Sequence, residues 1–159
     1  MITKRVIKSP IGDITLLEEG GAIVGLYFKD NADRVATNAQ QTNVKNTVLD
    51  ICEEELAEYF AGKRKTFTVP ISAKGTPFRE KVWDALNTIE YGKTVSYLDI
   101  ARQIGNAKAV RAVGGANHNN PISIIIPCHR VIGANRSLTG YGGGLDAKKW
   151  LLELEGVVL

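Results

Sequence analysis

Two residue types that carry much of protein chemistry are scarce in this chain, which has two cysteines and two histidines among its 159 residues. Cys52 and Cys128 lie in different segments, and neither belongs to a CxxC pair. This spacing argues against a disulfide framework and against a cysteine-rich zinc site. Free thiols are typical of a reducing, intracellular compartment, so we expect a cytoplasmic protein.

Long apolar runs are also missing. No segment approaches the roughly 20 apolar residues that a membrane-spanning helix requires. The basic N-terminus, MITKRVIKSP, has no apolar core of the kind found in signal peptides. With 44% hydrophobic and 23% charged residues, the composition is that of a globular protein with one domain or two small ones. We therefore expect no association with a membrane.

Charge is unevenly distributed along the chain. Residues 1–70 have a net charge of −1, whereas residues 71–159 have a net charge of +4. Between positions 94 and 141 there are five basic residues and one acidic residue. A basic half of this kind is typical of a polyanion-binding surface, although charge alone is equally compatible with an ordinary solvated face.

Residues 1–70 are predicted to form a small α/β domain. Turn residues separate three strand-like runs and predict an antiparallel meander with strands at about 3–8, 12–18 and 22–28. The polar residues 31–46 are predicted to form a loop. The segment NTVLDICEEELAEYFAGKR then predicts an amphipathic helix ended by Gly62, with an apolar face of Val48, Cys52, Leu56, Tyr59 and Phe60. Cys52 is therefore interpreted as a packed thiol.

Residues 71–159 are predicted to form a second, mostly helical domain. Thr76 and Pro77 are favourable residues for a helix start, and the helix has a buried stripe of Phe78, Val82, Leu86 and Ile89 with Trp83 beside it. YGKTVS then predicts a turn into a short strand. The last helix is LDAKKWLLELEG, which has Asp146 in its first turn and ends at Gly156.

The segment SYLDIARQIGNAKAVRAVGGANHNN predicts a helix-turn-helix. Ser96 and Asp99 form a capping-box pattern at the start of a helix over about 97–104. Gly105 ends that helix, and Asn106 is predicted to cap a second helix over about 107–116. The second helix is rich in alanine and glycine, which allow close approach either to a partner or to another part of the protein.

The segment SIIIPCHRVIG places a cysteine beside a histidine. Its three isoleucines predict a buried strand. Cys128 and His129 could form an activated nucleophile, or they could be a packed thiol beside an ordinary histidine. Since neighbours on a strand point to opposite faces, a direct contact between them requires a turn, which Pro127 favours, or a bridging water. The carboxylates available to orient the histidine are Glu153 and Glu155.

These segments together resemble the O6-alkylguanine-DNA alkyltransferases. The resemblance rests on GTPFREKVWDAL, YGKTVSYLDIARQIG, AVRAVGGANHNNP, IIIPCHRVIGA and LTGYGGGLDAKKWLLELEG, and it covers about 75–156. It implies an α+β fold with an N-terminal meander-plus-helix domain over 1–70. The C-terminal domain over 71–159 would hold a winged-helix-like helix-turn-helix and a short active-site strand.

The resemblance implies a reaction and its residues. An alkyl group would move from guanine O6 in DNA to Cys128, irreversibly and once per molecule, after the base is flipped out of the duplex. His129 would take the thiol proton through a water, and Glu155 would orient His129. Asn120 would brace the turn before the cysteine, and Tyr97 would hydrogen-bond the guanine ring. The resemblance implies no cofactor and no metal.

The resemblance also implies how DNA is bound. Arg111 would fill the gap left by the flipped base, and the remaining DNA-binding residues would be Lys108, Ala112, Gly115 and Asn117. The base pocket would include Val131, Tyr141 and Gly142, and Arg130 would have a structural role. The partner would be double-stranded DNA with an alkylated guanine, bound through its minor groove by a monomer. O4-alkylthymine is a further candidate substrate.

Two alternative functions and one departure from the family remain. Some relatives lack the cysteine and only bind alkylated bases, and a cysteine hydrolase is the third possibility.

The departure is Arg136, which occupies a position in GANRSL where relatives have glycine. The turn there could have shifted, with Asn135 taking the left-handed conformation, or Arg136 could contact a phosphate.

Overall fold

The computed structural model describes residues 2–28, 40–41, 45–133, 137–138, 141 and 144–158. The chain divides into two compact units, Met1–Ser72 and Ala73–Leu159. Within the described residues, no helix is both long enough and apolar enough to cross a bilayer.

The first unit contains the predicted antiparallel meander. Its strands are β1 (Thr3–Ile7), β2 (Ile14–Glu19) and β3 (Ala22–Phe28). Ile7 pairs with Ile14 across the first connection, and Glu19 pairs with Ala22 across the second. The two-residue turn between β2 and β3 is Gly20–Gly21, and both glycines have positive φ. A tight hairpin turn of this type requires that conformation, so the local sequence determines the pairing.

The predicted loop over 31–46 is wrong at one point. Gln40–Gln41 form a short strand, β4, which pairs in parallel with β1 at Thr3 and Lys4. The sheet order is therefore β3-β2-β1-β4. Two consecutive glutamines give no apolar pattern from which a strand could have been predicted.

Helix α1 (Thr47–Phe60) begins at Asn46, whose side-chain oxygen accepts a hydrogen bond from Leu49 N at 2.9 Å. Its buried residues are Leu49, Cys52, Glu55, Leu56 and Tyr59, whereas Val48 and Phe60 at the ends of the predicted face are only partly buried. Burial, with Glu55 and Glu53 nearby, raises the pKa of Cys52 to about 12. The interpretation of Cys52 as a packed thiol is confirmed.

The described part of the second unit contains four α-helices and a short sheet. The helices are α2 (Pro77–Leu86), α3 (Tyr97–Gln103), α4 (Val110–His118) and α5 (Leu145–Leu154). The strands β5 (Val95–Ser96) and β6 (Val131–Ile132) pair in parallel. Thr76 accepts a hydrogen bond from Arg79 N at the start of α2, and the predicted capping box of Ser96 and Asp99 is present. The α+β class and the helix-turn-helix are as predicted.

The second helix of the helix-turn-helix differs from its predicted bounds. It begins at Val110 and ends at His118, and no side chain caps its N-terminus. Asn106 instead contributes its carbonyl to a turn, where it accepts a hydrogen bond from Ala109 N at 3.0 Å. Gly105 has a φ of +81°, so it ends α3 as expected and is followed by the turn rather than by a helix cap.

The isoleucine run is buried but is not a strand. Ile126 N donates to Ile122 O, and Ile124 adopts a φ of +73°, so the chain turns where an extended strand was predicted. Ile124 and Ile126 are almost fully buried, which explains why their β-branched side chains resemble a buried strand. Cys128–Arg130 form one turn of 3₁₀ helix. The short strand β6 follows the cysteine and does not carry it.

Candidate active site

Cys128 begins the 3₁₀ turn and is 3% exposed. Pro127 precedes it and has no N–H to continue a strand ladder. Burial raises the pKa of the Cys128 thiol, while hydrogen bonding from Asn120 and the positive charge of Lys148 act in the opposite direction. The thiol is therefore protonated at rest, and it requires a proton acceptor before it can act as a nucleophile.

His129 has a carboxylate partner. Its Nε2 lies 2.7 Å from Oε2 of Glu155, and both side chains are fully buried. Glu155 also pairs with Arg130, so it serves as a hydrogen-bond acceptor. We therefore assign the ring proton of His129 to Nε2, which donates to the carboxylate. Burial lowers the pKa of His129, so the ring is neutral at rest. Nδ1 then holds a lone pair, and it has no hydrogen-bond partner among the described residues.

Glu155 follows α5 and is held by several donors. Arg130 donates from Nε to Oε1 at 2.8 Å and from Nη2 to Oε2 at 3.0 Å. Gly92 N donates to Oε1 at 3.0 Å. Arg130 also donates from Nη1 to Ile89 O at 2.6 Å and lies over the Tyr91 ring. The carboxylate therefore has a fixed orientation toward His129.

Asn120 connects the two ends of the isoleucine turn. Its Nδ2 donates to Ile126 O at 2.8 Å, and its Oδ1 accepts from Ile122 N at 3.0 Å. These bonds satisfy main-chain groups that a strand ladder would otherwise have satisfied. Asn120 therefore supports the backbone that presents Cys128.

Asn117 is not at the surface position that we predicted for a DNA-contacting residue. It is 3% exposed, and its Nδ2 donates to Cys128 O at 3.4 Å. A buried amide on the inner face of α4 is not available to a partner at the protein surface. Asn117 belongs with the cysteine turn.

Lys148 is a site residue that the sequence analysis missed. Its side chain is fully buried, and Nζ donates to Val131 O at 2.6 Å. Burial lowers the pKa of Lys148 to about 8, although the neighbouring Cys128 acts to raise it. A sequence signal did exist, because Lys148 shares a helical face with the buried Leu151 and Leu152.

The remaining predicted pocket residues lie on several elements. Val131 and Tyr141 are buried, and Tyr97 is partly buried at the start of α3, facing Gly114 of α4. Gly142 and Arg136 lie outside the described residues. The structure therefore brings together Cys128, His129, Glu155 and Asn120.

The outer face of α4 is exposed and includes two small residues. Arg111, Ala112 and Gly115 lie on this face, and Lys108 is exposed in the turn before it. A Cβ added at Gly115 would meet no atom within 4 Å. Packing inside the protein therefore does not require glycine there, and a small surface of this kind allows another molecule to approach the helix backbone closely.

Two family models match the chain. Residues 77–157 match the DNA binding domain of 6-O-methylguanine DNA methyltransferase, and residues 2–73 match the ribonuclease-like domain of the same family. The cysteine turn and the helix-turn-helix both fall within the first match.

Individual relatives agree with these matches. The constitutive methylated-DNA–protein-cysteine methyltransferase of Bacillus subtilis is 47% identical over 154 residues, which cover 94% of this chain and 93% of that protein. The methylated-DNA–protein-cysteine methyltransferase of Methanosarcina acetivorans is 44% identical, covering 95% of this chain and 96% of that protein. The OGT of Mycobacterium tuberculosis in complex with DNA is 46% identical with a TM-score of 0.89, covering 96% of this chain and 92% of that one.

Proposed function

The chain belongs to the 6-O-methylguanine DNA methyltransferase family, and on that premise we propose that it repairs alkylated DNA by transferring the alkyl group of O6-alkylguanine to its own Cys128. The observation that carries the assignment to Cys128 is its position beside His129, whose ring is oriented by Glu155 at 2.7 Å. The other cysteine, Cys52, is packed in α1 with a pKa of about 12 and has no histidine partner of this kind among the described residues.

The chemistry begins with proton removal. A water takes the thiol proton of Cys128 and passes a proton to Nδ1 of His129, which becomes an imidazolium held by Glu155. The thiolate sulfur then attacks the alkyl carbon. The new S–C bond forms as the C–O6 bond breaks, and its electron pair goes to the guanine.

The leaving guanine needs a proton to become neutral. A hydrogen bond from Tyr97 to the guanine ring stabilises the developing charge. The guanine finally gains one proton, which balances the proton that the thiol lost. The product is a thioether on Cys128. Because thioethers are not readily cleaved, each molecule reacts once.

The proposed partner is double-stranded DNA bound through its minor groove. The exposed face of α4 supports this, since Ala112 and Gly115 allow close approach and Lys108 and Arg111 supply positive charge. Arg111 would occupy the space of the flipped guanine, since the O6 atom is otherwise out of reach inside the duplex. The protein would bind as a monomer.

The two parts of the chain would have different roles. Residues 71–159 would form the DNA-binding and alkyl-acceptor domain, and residues 1–70 the N-terminal α/β domain. The acceptor thiol must remain reduced in order to react, which supports an intracellular location.

Mass spectrometry after mixing with duplex DNA containing O6-methylguanine tests the proposal. We expect the protein to gain the mass of one methyl group on Cys128, and Cys128→Ser to bind the DNA without gaining mass. Cys52→Ser is the matched control, and it should accept the group like the wild type. Unmodified wild-type protein on DNA would instead indicate a binding module, and cleavage of a peptide or ester would indicate a hydrolase.

A further inference from the structure

Two buried polar atoms beside the acceptor cysteine have no hydrogen-bond partner among the described residues. They are Nδ1 of His129 and Oδ1 of Asn117. His129 follows Cys128 in the chain, and the Asn117 amide lies against the Cys128 carbonyl, with Nδ2 at 3.4 Å from it. Both atoms therefore belong to groups that adjoin the same residue.

Leaving such atoms unsatisfied is costly. A buried amide oxygen or ring nitrogen without a partner destabilises the folded state, because it has lost the hydrogen bonds that it made to water in the unfolded chain. Buried waters typically satisfy such groups when two or more polar atoms adjoin one space. His129 and Asn117 are at most 3% exposed, so bulk solvent is not available to either side chain.

We propose that Asn117 is a positioning residue that anchors the proton-relay water between Cys128 and His129, which makes it part of the transfer site rather than of the DNA contact. This inference rests on the proposed function. The water would donate one hydrogen to His129 Nδ1 and the other to Asn117 Oδ1, and its oxygen would accept the hydrogen of the Cys128 thiol.

The amide has a suitable chemistry for this role. Its Nδ2 donates to Cys128 O, which fixes the orientation of the group and leaves Oδ1 as an acceptor. An amide oxygen accepts a hydrogen bond but does not become protonated near neutral pH. The water can therefore release a proton only toward His129. After the step, the proton is on His129 Nδ1, and the water carries the former thiol proton.

Asn117 and Arg111 lie on opposite faces of the same helix, α4. Arg111 lies on the exposed face of α4, whereas Asn117 lies on the inner face near the end of the same helix. The end of α4 is fixed from another side as well, because Ala116 O accepts a hydrogen bond from Trp83 Nε1 at 2.9 Å. One helix would thus carry both a DNA-contacting residue and an anchor of the relay water.

The test is a double-mutant cycle in single-turnover transfer from O6-methylguanine duplex DNA at saturating DNA. We expect Asn117→Leu to slow transfer about tenfold while the affinity for DNA stays within twofold of wild type. In a His129→Phe background the same change should slow transfer less than twofold, because the relay that Asn117 serves is already lost. Equal slowing in both backgrounds would overturn the proposal.

The matched control is Asn119→Leu. Asn119 is on the same helix end, and its Nδ2 donates to Gly115 O at 2.8 Å, away from the cysteine turn. We expect wild-type transfer from it. If Asn117→Leu fails to fold, a high-resolution crystal structure of the wild type decides: a water within hydrogen-bond distance of both Asn117 Oδ1 and His129 Nδ1 supports the proposal, and none there overturns it. Absence of transfer by the wild type would instead reject the proposed function.

Discussion

Arg130 and Glu155 form a buried, two-armed ion pair, with Nε to Oε1 at 2.8 Å and Nη2 to Oε2 at 3.0 Å. The same carboxylate accepts the His129 ring N–H. One carboxylate therefore binds both Arg130 and His129, and its charge serves both the stability of the unit and the orientation of the histidine.

Glu155→Gln should lower both the stability of the protein and the rate of transfer. The substitution keeps the shape but leaves the Arg130 guanidinium buried without its countercharge, which typically costs about 3–5 kcal/mol of unfolding free energy. Transfer should slow at least tenfold, because an imidazolium on His129 loses its stabilising carboxylate. Urea unfolding and single-turnover transfer measure the two effects.

Glu153→Gln is the control for that change. Glu153 is exposed near the end of α5, two residues before Glu155, and its contact with Lys149 is 3.8 Å long. An exposed pair of this kind contributes at most about 0.5 kcal/mol, so stability and transfer should both remain near wild type. Equal losses from the two substitutions would show that the charge of Glu155 has no special role.

Lys148 should make stability depend on pH. Its pKa is lowered to about 8 in the folded protein, whereas an unfolded lysine titrates near 10.4. Between these values the unfolded chain binds more protons than the folded one, so this residue should make stability rise with pH from about 8 to 10.5. The protein with Lys148 should therefore gain stability relative to Lys148→Met as the pH rises, because other groups such as the Cys52 thiol titrate alike in both proteins.

The measurement uses urea unfolding from pH 7 to 10.5 in a Cys128→Ser background. That background removes the titration of the neighbouring thiol, whose raised pKa would act with the opposite sign. The exposed Lys149 is changed to Met as the control. Parallel stability curves for the proteins with and without Lys148 would contradict a buried, titrating lysine.

Arg111→Ala should affect transfer from duplex DNA far more than transfer from the free O6-alkylguanine base. The free base needs no flipping, so a residue that replaces the base in the duplex has no part in that reaction. Single-turnover rates with both substrates measure the contrast. Arg102→Ala, an exposed change on α3, is the control. Equal slowing on both substrates would place the effect of Arg111 in the pocket or in the fold.

The sequence predicted those parts of the fold that local patterns determine. The strand-like runs and the turn residues between them predicted the meander, and the capping box at Ser96 predicted the start of α3. The strand predicted for the isoleucine run was wrong, because apolar β-branched side chains are equally compatible with a buried strand and a buried turn. That turn depends on Asn120, whose side chain bonds two main-chain groups that only the folded chain brings together.

The site was predictable only where the resemblance covered it. Cys128, His129 and Glu155 lie together, although 26 residues separate the last two and no local pattern relates them. Lys148 was missed because a charged residue is normally assigned to the surface. The resemblance assigned Asn117 to DNA binding together with Arg111, and only burial reveals which face of α4 each residue occupies.

Gly115→Ala should change stability and DNA binding in opposite directions. Glycine inside a helix costs about 0.5–1 kcal/mol relative to alanine, and an added Cβ meets no atom within 4 Å, so the variant should be more stable by about that amount. If DNA approaches the α4 backbone, the same methyl group intrudes on the contact and weakens binding. Thermal or urea unfolding and titration with duplex DNA measure the two quantities.

Gly105→Ala should lower stability, in contrast to Gly115→Ala. Gly105 has a φ of +81°, a conformation that costs alanine roughly 1–2 kcal/mol, so this substitution should destabilise the protein although space is available for a Cβ. A stabilised Gly115→Ala with unchanged DNA affinity would show that this helix face does not approach DNA closely. Weaker binding by the more stable variant is the result that the proposed minor-groove contact requires, because a loss of fold cannot account for it.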